Sequence, residues 1–200
     1  MRKIFPLIKQ FTDETNKFLL FLITAASIYG ILMVHSSTRF MLEDGQTIFR
    51  DAVVMIVAAI LGIVMALVIS AIDYEFVTKL WPIIGVVCVV MMIITLIFGA
   101  APEARPDSKC WLKFGTVYFQ TSELVKIGFV ITFSMHLELL KDKINDFKSL
   151  LLLGVHAVIP IGLVVLTGDM GSALVFVFIT IAMLYFAGLH IGFFAAGGIL

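Results

Sequence analysis

Long apolar runs joined by short polar links limit what this chain can fold into more than any other feature. Residues 18–35, 53–72, 80–100, 121–140, 150–166 and 171–189 each come close to the ~20 residues that a helix needs to cross a hydrocarbon core. A seventh run opens at Ile191 and is cut off at Leu200. A half-length seventh helix cannot close its backbone hydrogen bonds across the bilayer. The runs are continuously apolar rather than alternating, so helices are expected. Charged residues make up only 14% of the chain, against ~25% in soluble domains. The expectation is an all-α integral membrane protein: a polytopic helical bundle with six complete transmembrane helices plus the start of a seventh, forming a single membrane domain over residues 1–200. The first run is longer than a signal-peptide core and no small-x-small cleavage site follows it, so it is expected to remain as a span.

The polar links supply an orientation. Residues 1–17 mix Arg2, Lys3, Lys9 and Lys17 with Ile4, Phe5, Leu7, Ile8 and Phe11. That mixture suits a segment lying on an anionic membrane face, and equally a disordered tail. Glu43-Asp44-Gly45 marks a turn in the loop Ser36–Asp51. Pro82 falls in the first turn of the third span, where a missing N–H costs little. With a cytoplasmic N-terminus, Arg2, Lys3, Lys9, Lys17, Lys79, Lys141, Lys143 and Lys148 lie inside and Arg39, Arg50, Arg105, Lys109 and Lys113 outside. This bias agrees with the positive-inside rule, and it places the Trp111 loop and Asp169 on the same outer side.

Polar chemistry is concentrated between Cys110 and Lys126. Glu123 and Lys126 are three residues apart, so on a helix they share a face and can pair. Intramembrane ions usually pair, face a wet cavity and mark function. Against that, Glu123 near a helix start complements the dipole and Lys126 can snorkel to the headgroups; spacing alone leaves both readings open. Thr121 or Ser122 is expected as the N-cap. Trp111 and Tyr118 suit either interfacial anchors or a platform for a sugar ring. Asp169 suits the N-terminus of the sixth span. His35, His136, His156 and His190 are scattered over different segments without a cysteine or carboxylate at ligand spacing, so no metal site is expected. Cys88 lies within a span and Cys110 in a loop open to a membrane-impermeant thiol reagent. Balanced charges, 14 basic against 14 acidic residues, and the lack of a nucleotide-binding glycine loop give no sign of nucleic acid.

Trp111-x-x-x-Gly115, a short aromatic loop and Phe119-Gln120-Thr121-Ser122-Glu123-Leu124-x-Lys126 together resemble the signature of the SEDS family (shape, elongation, division and sporulation), which includes RodA, FtsW and SpoVE. Gly168-Asp169-Met170-Gly171-Ser172-Ala173 resembles the family's Pro-Asp-Leu-Gly-Thr-Ala element. Ser36-Ser37 and Ile72-Asp73-Tyr74 also fit, the latter nearer to RodA. The resemblance runs along the whole chain. It implies a peptidoglycan glycosyltransferase of the bacterial cytoplasmic membrane that polymerises lipid II during cell-wall elongation. It implies as partners a class B penicillin-binding transpeptidase, other membrane proteins of the elongation complex and membrane lipids, with room for a divalent cation (Mg or Mn). By the same resemblance Glu123 and Lys126 are the candidate catalytic pair, and Trp111, Gln120, Ser122 and Asp169 the candidate substrate-binding residues. The family's proposed catalytic aspartate lies in an outer loop beyond Leu200, so the 200-residue chain alone is expected to be inactive. Two positions depart from the pattern: Thr121 stands where proline is usual, and Cys110 where arginine commonly precedes the tryptophan. The rival reading is a flippase or transporter of a lipid-linked precursor.

Overall fold

The computed structural model describes residues 17–39, 46–70, 72–102, 106–115 and 117–196. The expected surface segment 1–16, the turn Glu43-Asp44-Gly45 and the end of the seventh run, 197–200, lie outside the described residues. The chain packs as two compact units that divide between Tyr74 and Glu75. In the first, α1 (Lys17–Arg39) pairs with α2 (Gln46–Ser70). Gly30 lets the two approach, with the Met55 methyl 3.9 Å from where a Cβ would stand. Elsewhere both helices expose apolar side chains such as Leu32, Ile60 and Leu61.

The second unit is entered through α3 (Tyr74–Lys79) and holds α4 (Trp81–Phe98), α5 (Thr121–Leu140), a 3-10 turn (Lys141–Lys143), α6 (Phe147–Leu166), α7 (Met170–Phe186) and α8 (Ile191–Ala196). Helix α5 packs against α4, α6 and α7. Its inward stripe is Val125, Phe129, Phe133 and Leu137, four residues apart and all buried, as the helical period requires. Phe129 stacks on Phe133 with ring centres 5.1 Å apart and meets Phe176 of α7 at 5.3 Å. Gly128 faces Cys88 of α4, and a Cβ there would overlap the sulfur. Small residues at such contacts bring helices close enough for dispersion to hold them where lipid surrounds the bundle.

The fold is mostly helical, as expected, and between α4 and α5 a short hairpin interrupts the helices. Residues Trp111–Phe114 (β1) and Val117–Gln120 (β2) form an antiparallel hairpin, with Trp111 opposite Gln120 and Phe114 opposite Val117. The strands are rich in aromatic and β-branched residues. Gly115 takes φ +62° at the turn, a conformation that costs glycine little. The hairpin is tied at its root: Ala100 N donates to Trp111 O (2.7 Å), and Lys109 N donates to Thr167 O (3.0 Å). Gly99 and Gly168 flank this strap. A Cβ at Gly99 would run into Lys109 O, and one at Gly168, itself at φ +81°, would stand 2.7 Å from Asp107 O.

Among the described residues, three helical segments, Lys17–Ser36, Trp81–Phe98 and Phe147–Leu166, are long and apolar enough to cross a membrane; Val53–Ile69 and Met170–Phe186 are apolar but shorter. Helix α5 has the length, 20 residues, but carries Glu123, Lys126 and Glu138.

Candidate functional site

The site is built where the hairpin turns directly into α5. Gln120 ends β2 and is also the N-cap of α5, yet its side chain makes no cap bond. Its amide instead donates to Asp169 Oδ2 at 2.6 Å. Ser122 Oγ donates to the same oxygen at 3.3 Å and lies 3.4 Å from Ser172 Oγ. Asp169 is the N-cap of α7, its Oδ1 accepting from Ser172 N at 3.0 Å. One carboxylate therefore serves two helices. Burial, at 9% exposure, pushes the Asp169 carboxyl up, but the bonds from Ser172, Gln120 and Ser122 outweigh it and hold the group below the usual carboxylate range. That is the behaviour of an ion whose charged form is hydrogen-bonded.

The expectation that Thr121 or Ser122 caps α5 is corrected. Thr121 sits at the first helical position, fully buried, and its hydroxyl bonds to Thr95 of α4; Ser122 turns to Asp169. The first helical position is where proline is tolerated best, so the threonine exchanges a preset backbone for a tie between helices. Cys110 is also corrected. It is buried at 2% exposure, with Ser108 Oγ 3.2 Å from its sulfur and a long contact from Gln120 Nε2. Burial pushes its thiol up, the Ser108 bond opposes this, and the Asp169 charge adds to the rise.

Glu123 and Lys126 pair at 2.7 Å, but away from that network: among the described residues no hydrogen bond joins them to Asp169. Lys126 is half-sheltered at 19% side-chain exposure and Glu123 open at 60%. Glu123 lies in the first turn of α5, where a carboxylate complements the dipole. Trp111, half-buried, is held across the ladder from Gln120. Beyond it Lys113 Nζ stands 5.4 Å from the Tyr118 ring centre, a cation–π contact.

Ser172, Ser108 and Thr95 complete this neighbourhood and were not singled out from the sequence; only folding brings them in. Ser172 alone had a signal, three residues after Asp169, at cap spacing. The histidines read as scattered are not all apart: His136 Nδ1 and His156 Nδ1 meet at 2.9 Å.

The sequence profile of the FtsW/RodA/SpoVE cell cycle proteins matches residues 16–199. The chain belongs to that family. It is 28% identical over 191 residues to the probable peptidoglycan glycosyltransferase FtsW of Trichlorobacter lovleyi, covering 92% of this chain and 49% of that one. It is 28% identical over 176 residues to the peptidoglycan glycosyltransferase RodA of Treponema pallidum, covering 88% and 39%. Thus the chain spans about half the length, or less, of these curated relatives. A chain of a solved peptidoglycan synthase complex, described for its coordination of polymerization and crosslinking, superposes with a TM-score of 0.74 at 22% identity, over 92% of this chain and 52% of that one. Family and apolar helices together make this a multi-pass membrane protein.

Proposed function

We propose that this chain works in peptidoglycan glycosyltransfer, polymerising lipid II during cell-wall elongation in the manner of RodA. The observation that carries the reading is the joint of Gln120, Ser122 and Asp169, which fixes the head of α5 and so aims Glu123 and Lys126. In such a reaction a sugar hydroxyl attacks an anomeric carbon, and a carboxylate takes its proton. Glu123 is open enough to do so. The departing diphosphate needs a cation, and Lys126 stands one helical turn away. Trp111 offers a face for a sugar ring, with Gln120, Ser122 and Asp169 setting the floor beside it. A divalent cation would be shared with the substrate diphosphate, as magnesium usually is.

Six complete spans with the start of a seventh in one membrane domain, the N-terminus cytoplasmic and the hairpin outside, complete the proposal; the basic-residue bias supports that orientation. Ile72-Asp73-Tyr74 favours the RodA-like role over the FtsW-like one. The names of the relatives support the chemistry, and the synthase complex supports a penicillin-binding partner.

The test is a polymerisation assay with lipid II, a divalent cation and a class B penicillin-binding protein. The chain is supplied alone and co-expressed with the later half of a full-length relative. Polymer in the co-expressed arm only, lost with Lys126→Ala, is the expected result. Headgroup translocation without polymer would make the chain part of a flippase instead.

A further inference from the structure

A cavity of about 430 Å³ lies between α4, α5 and α6, its walls including Gly85, Val86, Val90, Phe129, Ile159 and Pro160. Two sequence choices hollow it out. Gly85 contributes no side chain, and Pro160, buried inside α6, cannot donate to the preceding turn. Three of its apolar residues, Val86, Val90 and Ile159, are exposed, so the cavity opens on the side of the second unit.

Thr132 and His156 at the cavity, with His136 behind them, serve one another. Thr132 Oγ1 donates to Phe129 O at 3.1 Å, so its contact with His156 Nε2, 3.2 Å, is accepted from an Nε2–H. His156 Nδ1 then carries a lone pair, and the 2.9 Å contact is donated by His136 Nδ1–H. In this tautomer chain His156 and Thr132 keep no donor for a ligand, which leaves an interior suited to hydrocarbon rather than to a sugar. The end of the cavity nearer the hairpin is lined by Met92 and Val125, both buried, and the Thr95–Thr121 bond lies one turn beyond them, between the cavity and the Asp169 network. A chain hanging from a headgroup at Asp169 is therefore shut out. The opposite end, the one away from the hairpin, is Trp81, on which His136 stacks at 6.2 Å. Lys79, exposed in the last turn of α3, stands two residues before Trp81 and complements a lipid phosphate. Lys141, Lys143 and Lys148 at this end are outnumbered by Asp73, Glu75, Glu138, Asp142 and Asp146, with Lys141 bonded to Glu138. The local phosphate contact, not net charge, sets the preference.

We propose that this cavity is a phospholipid site, taking one acyl chain between α4, α5 and α6 with its phosphate at the Trp81 end beside Lys79. It does not depend on the polymerase reading. The test uses the full chain in phosphatidylglycerol–phosphatidylethanolamine nanodiscs carrying a trace of phospholipid with a mid-chain diazirine. Crosslinks mapped by peptide mass spectrometry should favour Val86–Val90 and Ile159–Leu163 over the equally lipid-facing Phe178 of α7 by about tenfold, what roughly 1.4 kcal/mol of preference gives. Gly85→Phe should fill the cavity and remove that preference; a Cβ there meets only Thr132 Cγ2, at an ordinary 3.7 Å. Lys79→Glu should reduce it severalfold. Equal labelling of cavity and Phe178 in the unsubstituted protein would overturn the proposal. So would displacement by a polyprenyl diphosphate but not by phosphatidylglycerol, which would assign the cavity to a substrate tail.

Discussion

Two polar clusters stand at the head of α5, and they are made differently. The Asp169 cluster joins three elements, β2, α5 and α7, and is buried, with both carboxylate oxygens occupied by protein donors. The Glu123–Lys126 pair lies within a single helix and leaves one member largely open. The first has little capacity left for a ligand and the second has much. Buried, fully partnered polar groups hold a structure together, whereas an exposed ion pair contributes little to stability and stays available for chemistry.

The largest effect should come from Asp169→Ala. It strands the donors of Gln120 and Ser122, at roughly 1–3 kcal/mol each when buried, and removes the α7 cap, about 1 kcal/mol. Unfolding in detergent, followed by heat or denaturant, should show a loss of about 3 kcal/mol. A change below 1 kcal/mol would mean the cluster is not a joint. Next, Lys126→Ala and Glu123→Ala should each lower polymerisation about 100-fold, in the range of lost transition-state donors, while shifting stability by less than about 1 kcal/mol. The charge swap Glu123→Lys with Lys126→Glu should not recover activity, since hydroxyl and diphosphate need opposite charges at fixed places; recovery would reduce the pair to a strut.

Asp169→Asn should be milder, about 1 kcal/mol, because the Gln120 amide can turn over and accept from the new amide. Acid should narrow the gap between this variant and the parent. The Asp169 carboxyl is held low in the folded state, so its stabilisation is complete above the unfolded value of about 3.9 and fades as pH falls through the folded one. Melting curves from pH 6 to pH 3 should converge at the acid end, and a constant gap would contradict this assignment. The smallest effect concerns access alone. An impermeant maleimide should leave Cys110 unmodified and label a Phe114→Cys variant at the exposed hairpin tip on intact cells; labelling only after lysis would reverse the orientation.

What could be read in the sequence follows the range of the interaction. Helix α5 begins and ends with its apolar run, and the Glu123–Lys126 pair is local, so three-residue spacing reveals it. Pro82 and the cap at Asp169 are local too. Trp111–Gln120 reads as an aromatic loop because it is short, although the β-formers around Gly115-Thr116 carry a hairpin signal. Thr121 reads as a cap because capping is a local rule, whereas its actual partner Thr95 is twenty-six residues away. Gln120–Asp169 and His136–His156 are likewise contacts between helices, which spacing along one strand of sequence does not encode.

The strap of residues 107–109, pressed between Gly99 and Gly168, has a mechanical consequence. Its backbone bond to Thr167 and the bridge from Ala100 to Trp111 tie the hairpin down at that root, and its other root runs directly into α5. Any tilting between the end of α4 and the α6–α7 corner is geared directly to the position of Trp111. The aromatic face thus reports helix movement the way a needle reports the turning of its spindle.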